Sequence, residues 1–179
     1  MKNILKTIVC LAFAVVIATG CGMNNKKNLS SNKVESVSTM KKLPMFEGED
    51  MNGKKVDMSL LKDNKYTLIN VWSPGCGACR EEIPTLKKLK SEYKDKGINI
   101  VGVVYDGNSA KMTAYNLLKD NDVNYENIIP TDKFLNEVIS KEKAIPYSIL
   151  VDSKGSIKKF VMGALPYEGF KTLLETEAK

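Results

Sequence analysis

The chain has 179 residues, 43% of them hydrophobic and 27% charged, with a net charge of +6. That supports one domain with a real core and excludes a wholly disordered chain, a collagen-like repeat and a polytopic membrane protein. There is no histidine, which removes Ser-His-Asp and Cys-His nucleophiles, His-containing zinc sites and His-ligated haem, and four cysteines are too few for a disulfide-stapled miniprotein of this length.

The first residues carry Lys2 and Lys6 and no acid, and Ile8 to Ala18 is an unbroken apolar run of eleven. As a helix that run spans about 16 Å, roughly half of a bilayer core, which disfavours a permanent spanning segment. A basic start, a short apolar stretch and the small residues Ala18-Thr19-Gly20 before Cys21 describe a secretory signal over residues 1–20. Its end resembles the lipobox of bacterial lipoproteins, with Ala18 where Leu is usual. The resemblance implies that Cys21 becomes the lipidated first residue of the mature chain. Two or three acyl chains at about 0.8 kcal/mol per buried CH₂ give stable membrane attachment. Cys10 lies inside the apolar run and is discarded with it. Residues 21–42 are rich in Asn, Ser and Lys without apolar periodicity, the composition of a flexible tether. The folded domain is expected over 43–179. The basic charge is spread widely and reads as solvated surface, with no nucleic-acid partner.

Within the domain, Asn52-Gly53 between short extended pieces predicts a hairpin over Phe46–Met58. Tyr66–Trp72 is a β-branched and aromatic run fit for a buried strand, broken by Ser73-Pro74-Gly75. From Gly77 to Lys96, Ile83, Leu86, Leu89 and Tyr93 recur at helical spacing, and Gly97 stops the helix. Ile98–Tyr105 is a second buried strand. Ser109–Lys119 predicts a helix with Ser109 as cap and Met112, Tyr115 and Leu118 on one face. Tyr125–Ile129 is a short strand, Thr131–Ser140 a helix and Tyr147–Val151 a strand. A Ser153-Lys154-Gly155 turn leads into a strand over Ile157–Met162, and Pro166–Glu177 is a terminal helix. The order predicts an α/β domain with a mixed central sheet. Chemistry in such sheets sits at βα turns, and the turn after Trp72 holds both remaining cysteines.

Cys76-Gly77-Ala78-Cys79 lies at that strand-to-helix junction. Free N–H groups and the positive end of the helix dipole stabilise a thiolate on the first cysteine. The second sits one helical turn on. Cys76 is the expected attacking thiolate and Cys79 the resolving one. Zinc lacks ligands, and a c-type haem fails because Arg80 follows Cys79. A structural disulfide stays open, although so short a loop constrains the unfolded chain little.

The stretch LINVWSPGCGACREEIPTLKKL, the later Ile145-Pro146 before a strand, and the tail MGALPYEGFKTLL with Gly163 resemble the thioredoxin superfamily. The closer likeness is to the membrane-tethered TlpA/ResA/DsbE group of extracytoplasmic thiol–disulfide oxidoreductases. The family places Asn and Trp six and four residues before the first Cys, here Asn70 and Trp72, and Glu and Pro after the second, here Glu82 and Pro84. The resemblance implies a thioredoxin-like fold with an N-terminal hairpin and a central αβ insertion. It implies a cis-proline loop in which Ile145 and Pro146 face the CxxC and pair with an extended substrate segment, with Trp72 beside the site. Glu82 becomes a partly buried carboxyl that takes the proton Cys79 must lose. On the residues alone Glu82 reads as a solvated helix acid, and Arg80 as either a helper of the thiolates or an exposed charge. Pro84 predicts a kink in the helix. Gly75, Ala144 and Tyr147 depart from the usual residues around the motif.

The resemblance further implies a monomeric reductase of protein disulfides. It would be fed by a membrane electron donor of the CcdA/DsbD type and anchored outside the cytoplasm through Cys21. It would use no cofactor beyond the Cys76–Cys79 pair and no metal. Three alternatives stay open. A disulfide-forming oxidase uses the same residues. A peroxiredoxin-type peroxidase shares Ser73-Pro74-Gly75-Cys76, but has a proline where Ile69 stands and a distant arginine, whereas Arg80 is the only arginine here. A non-enzymatic lipoprotein carries the disulfide only as a staple.

Overall fold

A computed structural model describes residues 37–177. The expected signal segment, Cys21 and most of the expected tether lie outside the described residues. Seven strands form one mixed sheet: β1 (Glu47–Asp50), β2 (Lys55–Asp57), β3 (Tyr66–Trp72), β4 (Ile98–Val104), β5 (Glu126–Pro130), β6 (Tyr147–Asp152) and β7 (Ile157–Met162), in the order β2-β1-β5-β4-β3-β6-β7. The β3–β4 and β4–β5 pairs are parallel; all others are antiparallel. Among the described residues four α-helices accompany them: α1 (Gly77–Tyr93), α2 (Lys111–Asp120), α3 (Asp132–Glu137) and α4 (Tyr167–Glu177). The expected αβ insertion is α2 and β5, and β5 joins the N-terminal hairpin to the rest of the sheet.

The alternation of side chains along a strand divides the core in two. Ile69 and Val71 of β3 point into one cluster with Val101, Val103, Tyr147 and Phe46. Leu68 points the other way, into a cluster with Leu86 and Leu89 of α1 and Phe170 and Leu174 of α4. Trp72, on that same side, joins Cys79 and Ile83 of α1 and Ala114 and Leu118 of α2. The α1 face of β3 therefore carries residues 68, 70 and 72, which sets Asn70 and Trp72 beneath the cysteine pair.

Gly102 of β4 lies across from Asn70 on one side and Asn127 on the other. A Cβ there would stand 1.9 Å from Asn127 Oδ1 and 2.9 Å from Trp72 Nε1. Only glycine leaves room for the indole N–H of Trp72 to donate to Asn127 Oδ1 at 2.9 Å. Elsewhere, the terminal hairpin turns at Gly155 (φ 77°), and the β1–β2 turn is held by Asp50 Oδ1, which accepts from the N–H groups of Asn52 and Lys54.

The structure departs from the sequence reading in three places. The ordered domain begins at or before Val37, six residues ahead of the expected boundary at Leu43. Val37 is fully buried, the Leu43 N–H donates to the Gly155 carbonyl, and the Ile157 N–H donates to the Lys41 carbonyl. This polar segment takes its order from pairing with the start of β7, a tertiary effect that composition does not carry. Ser109 does not cap α2: it lies in a 3-10 turn (Gly107–Ala110) and its hydroxyl donates to the Asp106 carbonyl. Finally, Met112 and Tyr115 are exposed while Ala114 and Leu118 face the core, so the apolar face of α2 is rotated from the expected one.

Candidate active site

Strand β3 ends at Trp72, and Ser73-Pro74-Gly75 turns the chain into α1. The Ser73 carbonyl accepts from the Cys76 N–H, and its hydroxyl oxygen accepts from the Gly75 N–H. This places Cys76 at the N-cap of α1 in an extended conformation, where its sulfur takes the role usually filled by a Ser or Asp oxygen. Cys76 Sγ accepts from the Cys79 N–H at 3.2 Å. The two sulfurs are bonded as a disulfide, with the Cα atoms 5.2 Å apart.

The pair is asymmetric. Cys79 is 1% exposed and packs with Trp72 and Ile83, whereas Cys76 is half-buried between exposed Gly75 and Gly77. Ile145 comes from across the fold, and its carbonyl oxygen lies 3.9 Å from Cys76 Sγ. The Ile145–Pro146 peptide is cis, as the family resemblance implied. Pro146 itself is buried, and its carbonyl accepts from the Gly163 N–H. The surface offered beside Cys76 is therefore Ala144, exposed, and Ile145, half-buried, rather than the proline ring.

Glu82 is 3% exposed, not a solvated helix acid. Its Oε2 accepts from Asn70 Nδ2 at 3.1 Å and its Oε1 from the Leu165 N–H at 2.7 Å. Asn70 also donates to Ser148 Oγ at 3.1 Å. Burial pushes the carboxyl pKa of Glu82 above its ordinary value, against the opposing pull of the Leu165 and Asn70 donors. Tyr125 is raised too, mainly by burial and then by the nearby Glu82. A carboxyl whose pKa is raised in this way holds its proton to higher pH than a solvated one. Its neighbour Glu81 is exposed.

Trp72, expected beside the site, is 1% exposed with its indole N–H committed to Asn127. Its ring packs with Cys79 and Ile83 beneath the start of α1. Arg80 is exposed. Sequence reasoning missed the Leu165 amide that donates to Glu82 from before α4, the Ser148 hydroxyl of β6 that accepts from Asn70, and the Asn127 partner of Trp72. A buried Asn opposite a Gly in paired strands is the one trace these left in the sequence.

The raised pKa of Glu82 gives a signed expectation. A carboxyl whose pKa is higher folded than unfolded contributes stability below the unfolded value, and loses it as pH rises through the folded one. Urea unfolding of wild type and Glu82→Gln at pH 4 and pH 8 is expected to show the variant gaining on wild type as pH rises. A stability difference independent of pH contradicts the assignment.

The family model described as Redoxin matches residues 38–174. Thiol-disulfide oxidoreductase ResA of Bacillus subtilis is 29% identical over 131 residues, covering 73% of this chain and 71% of that protein. ResA of Oceanobacillus iheyensis is 29% identical over 164 residues, covering 88% and 79%. Among solved structures, a thiol:disulfide interchange protein from Bacteroides sp. aligns with a TM-score of 0.68 at 25% identity, covering 80% of this chain and 92% of that one. The thioredoxin domain of a thiol-disulfide oxidoreductase from Bacteroides vulgatus aligns at 0.65, also at 25% identity, covering 77% and 96%. The chain belongs to the Redoxin family, as a thiol–disulfide oxidoreductase with a thioredoxin-like fold.

Proposed function

We propose that the protein reduces disulfides of other proteins outside the cytoplasm, through the Cys76–Cys79 dithiol, while held on the membrane by a lipid on Cys21. The observation that carries the chemistry is the asymmetry of the pair: Cys76 half-buried at the N-cap of α1, Cys79 sealed beneath it. In the reduced state, the Cys76 thiolate attacks one sulfur of a substrate disulfide. A mixed disulfide forms and one substrate thiolate leaves. Cys79 gives its proton to Glu82 and attacks Cys76 Sγ, releasing the second substrate thiolate and leaving the Cys76–Cys79 disulfide. The substrate is reduced by two electrons and the enzyme oxidised by two.

A membrane dithiol donor of the CcdA/DsbD type would return the pair to the dithiol. Substrate docking falls to the 144–146 loop, where an extended segment laid beside Ala144 and Ile145 meets the Cys76 sulfur. The ResA relatives at 26–29% identity support thiol–disulfide exchange; the reductase direction is what the resemblance to the TlpA/ResA/DsbE group implies, and the anchor is read from residues 1–21 of the sequence.

Two measurements bear on this reading. Equilibrating the Cys76–Cys79 pair with glutathione is expected to give a potential toward the thioredoxin end of the family range, roughly −270 mV, and a value near −120 mV contradicts a reductase and favours an oxidase. Fractionating cells that express wild type or Cys21→Ser is expected to find the first with membranes and the second released from them. Equal membrane association of both contradicts the lipid anchor.

A further inference from the structure

Glu142 is a buried carboxylate with no place in the chemistry above. It is 5% exposed and starts the short loop that runs through Lys143 and Ala144 to Ile145 and Pro146. Its Oε1 accepts from the Ser38 N–H at 2.9 Å, across 104 residues of chain. Ser38 lies in the 3-10 turn Val37–Thr39, in the strap that precedes the hairpin. That strap is secured at both ends. Val37 and Leu43 are buried in the cluster that holds Tyr147 and Ile139, and the Lys41 carbonyl and Leu43 N–H pair with Ile157 and Gly155. Ile145 packs on this same cluster, and the Tyr147 hydroxyl donates to the Ile139 carbonyl at 3.0 Å.

The loop that sets a carbonyl against Cys76 is thus bounded on one side by β6 and on the other by a carboxylate gripping the strap. Burial of a carboxylate without a donor is costly, so the Ser38 N–H and Glu142 hold one another in place. We propose that Glu142 is a positioning residue for substrate docking: by holding the Ser38 N–H it ties the 37–43 strap to the base of the 142–146 loop. This fixes Ile145 beside Cys76, so that an extended protein segment finds its docking edge already formed. The inference rests on the reading of the protein as a reductase of protein disulfides. It adds that the segment joining the domain to residues 1–36 is a structural part of the docking loop.

The test uses the full chain, with dithiothreitol as electron source and insulin as the disulfide-bearing probe. Glu142→Ala is expected to raise KM for insulin by about tenfold while leaving kcat within about twofold, the split that marks lost docking rather than lost chemistry. Direct reduction of the Cys76–Cys79 disulfide by dithiothreitol is expected to stay within about twofold of wild type, because so small a reductant needs no docking edge. Glu142→Gln, which keeps an oxygen for the Ser38 N–H, is expected to bring KM back to within about threefold of wild type. If Glu142→Ala does not fold, Ser38→Pro removes the same hydrogen bond from the donor side and is read in the same way. An unchanged KM in a folded variant, or equal losses with insulin and dithiothreitol, overturns the positioning role. Failure of the wild type to reduce insulin overturns the protein-disulfide reading on which it rests.

Discussion

The hydrogen bond from the Cys79 N–H to Cys76 Sγ ties the chemistry of this protein to its fold. It exists because β3 ends, turns through Ser73-Pro74-Gly75 and delivers Cys76 to the first position of a seventeen-residue helix, whose leading N–H groups have no partner within the helix. A sulfur there is favoured as an anion and faces outward. The helix then carries its companion three residues on, inward, into the cluster of Trp72 and Ile83. One turn of helix separates an accessible sulfur from a sealed one, and the proposed division of labour between attack and resolution rests on that separation.

What surrounds the pair is organised by a second constraint, the burial of Glu82. A carboxyl at 3% exposure needs donors, and it finds one from β3, Asn70, and one from the segment before α4, the Leu165 amide. Two residues before Leu165, the Gly163 N–H is bonded to the Pro146 carbonyl. The Glu82 carboxyl, the segment after β7 and the 144–146 loop are therefore linked through a few short bonds, each of them to backbone or to a side-chain amide. The thiol–disulfide chemistry sits on a frame whose parts hold one another.

Much of this was legible from the residues. The β-branched runs at Tyr66–Trp72 and Ile98–Val104 carry no polar alternation because both faces of the sheet are covered, and they read as buried strands. The spacing of Ile83, Leu86, Leu89 and Tyr93 gives α1, and the two cysteines stand where strand meets helix. Other features leave no local trace. The strap at 37–43 has no apolar periodicity and is ordered by long-range contacts: Val37 and Leu43 in the core, Ser38 on Glu142, and backbone pairing beside β7. Glu142 and Ser38 are 104 residues apart. Glu82 is a helix acid like Glu81 until β3 and the Leu165 loop close over it. Met112, Tyr115 and Leu118 lie at helical spacing on α2, yet of these only Leu118 is buried, and it faces the core together with Ala114, which packs in the cluster of Trp72. Trp72 sits beside the motif in sequence and beneath it in space. Local pattern fixes elements; long-range pairing decides which polar groups become functional.

The central claim is that Cys76 attacks and Cys79 resolves. Mixing reduced Cys79→Ser with a disulfide-bearing protein such as insulin, then mapping the trapped adduct by peptide mass spectrometry, tests it directly. The account predicts a long-lived one-to-one mixed disulfide on Cys76, absent from the wild type, where Cys79 releases it. No adduct on Cys76, or an equally abundant adduct on Cys79 in Cys76→Ser, would contradict it.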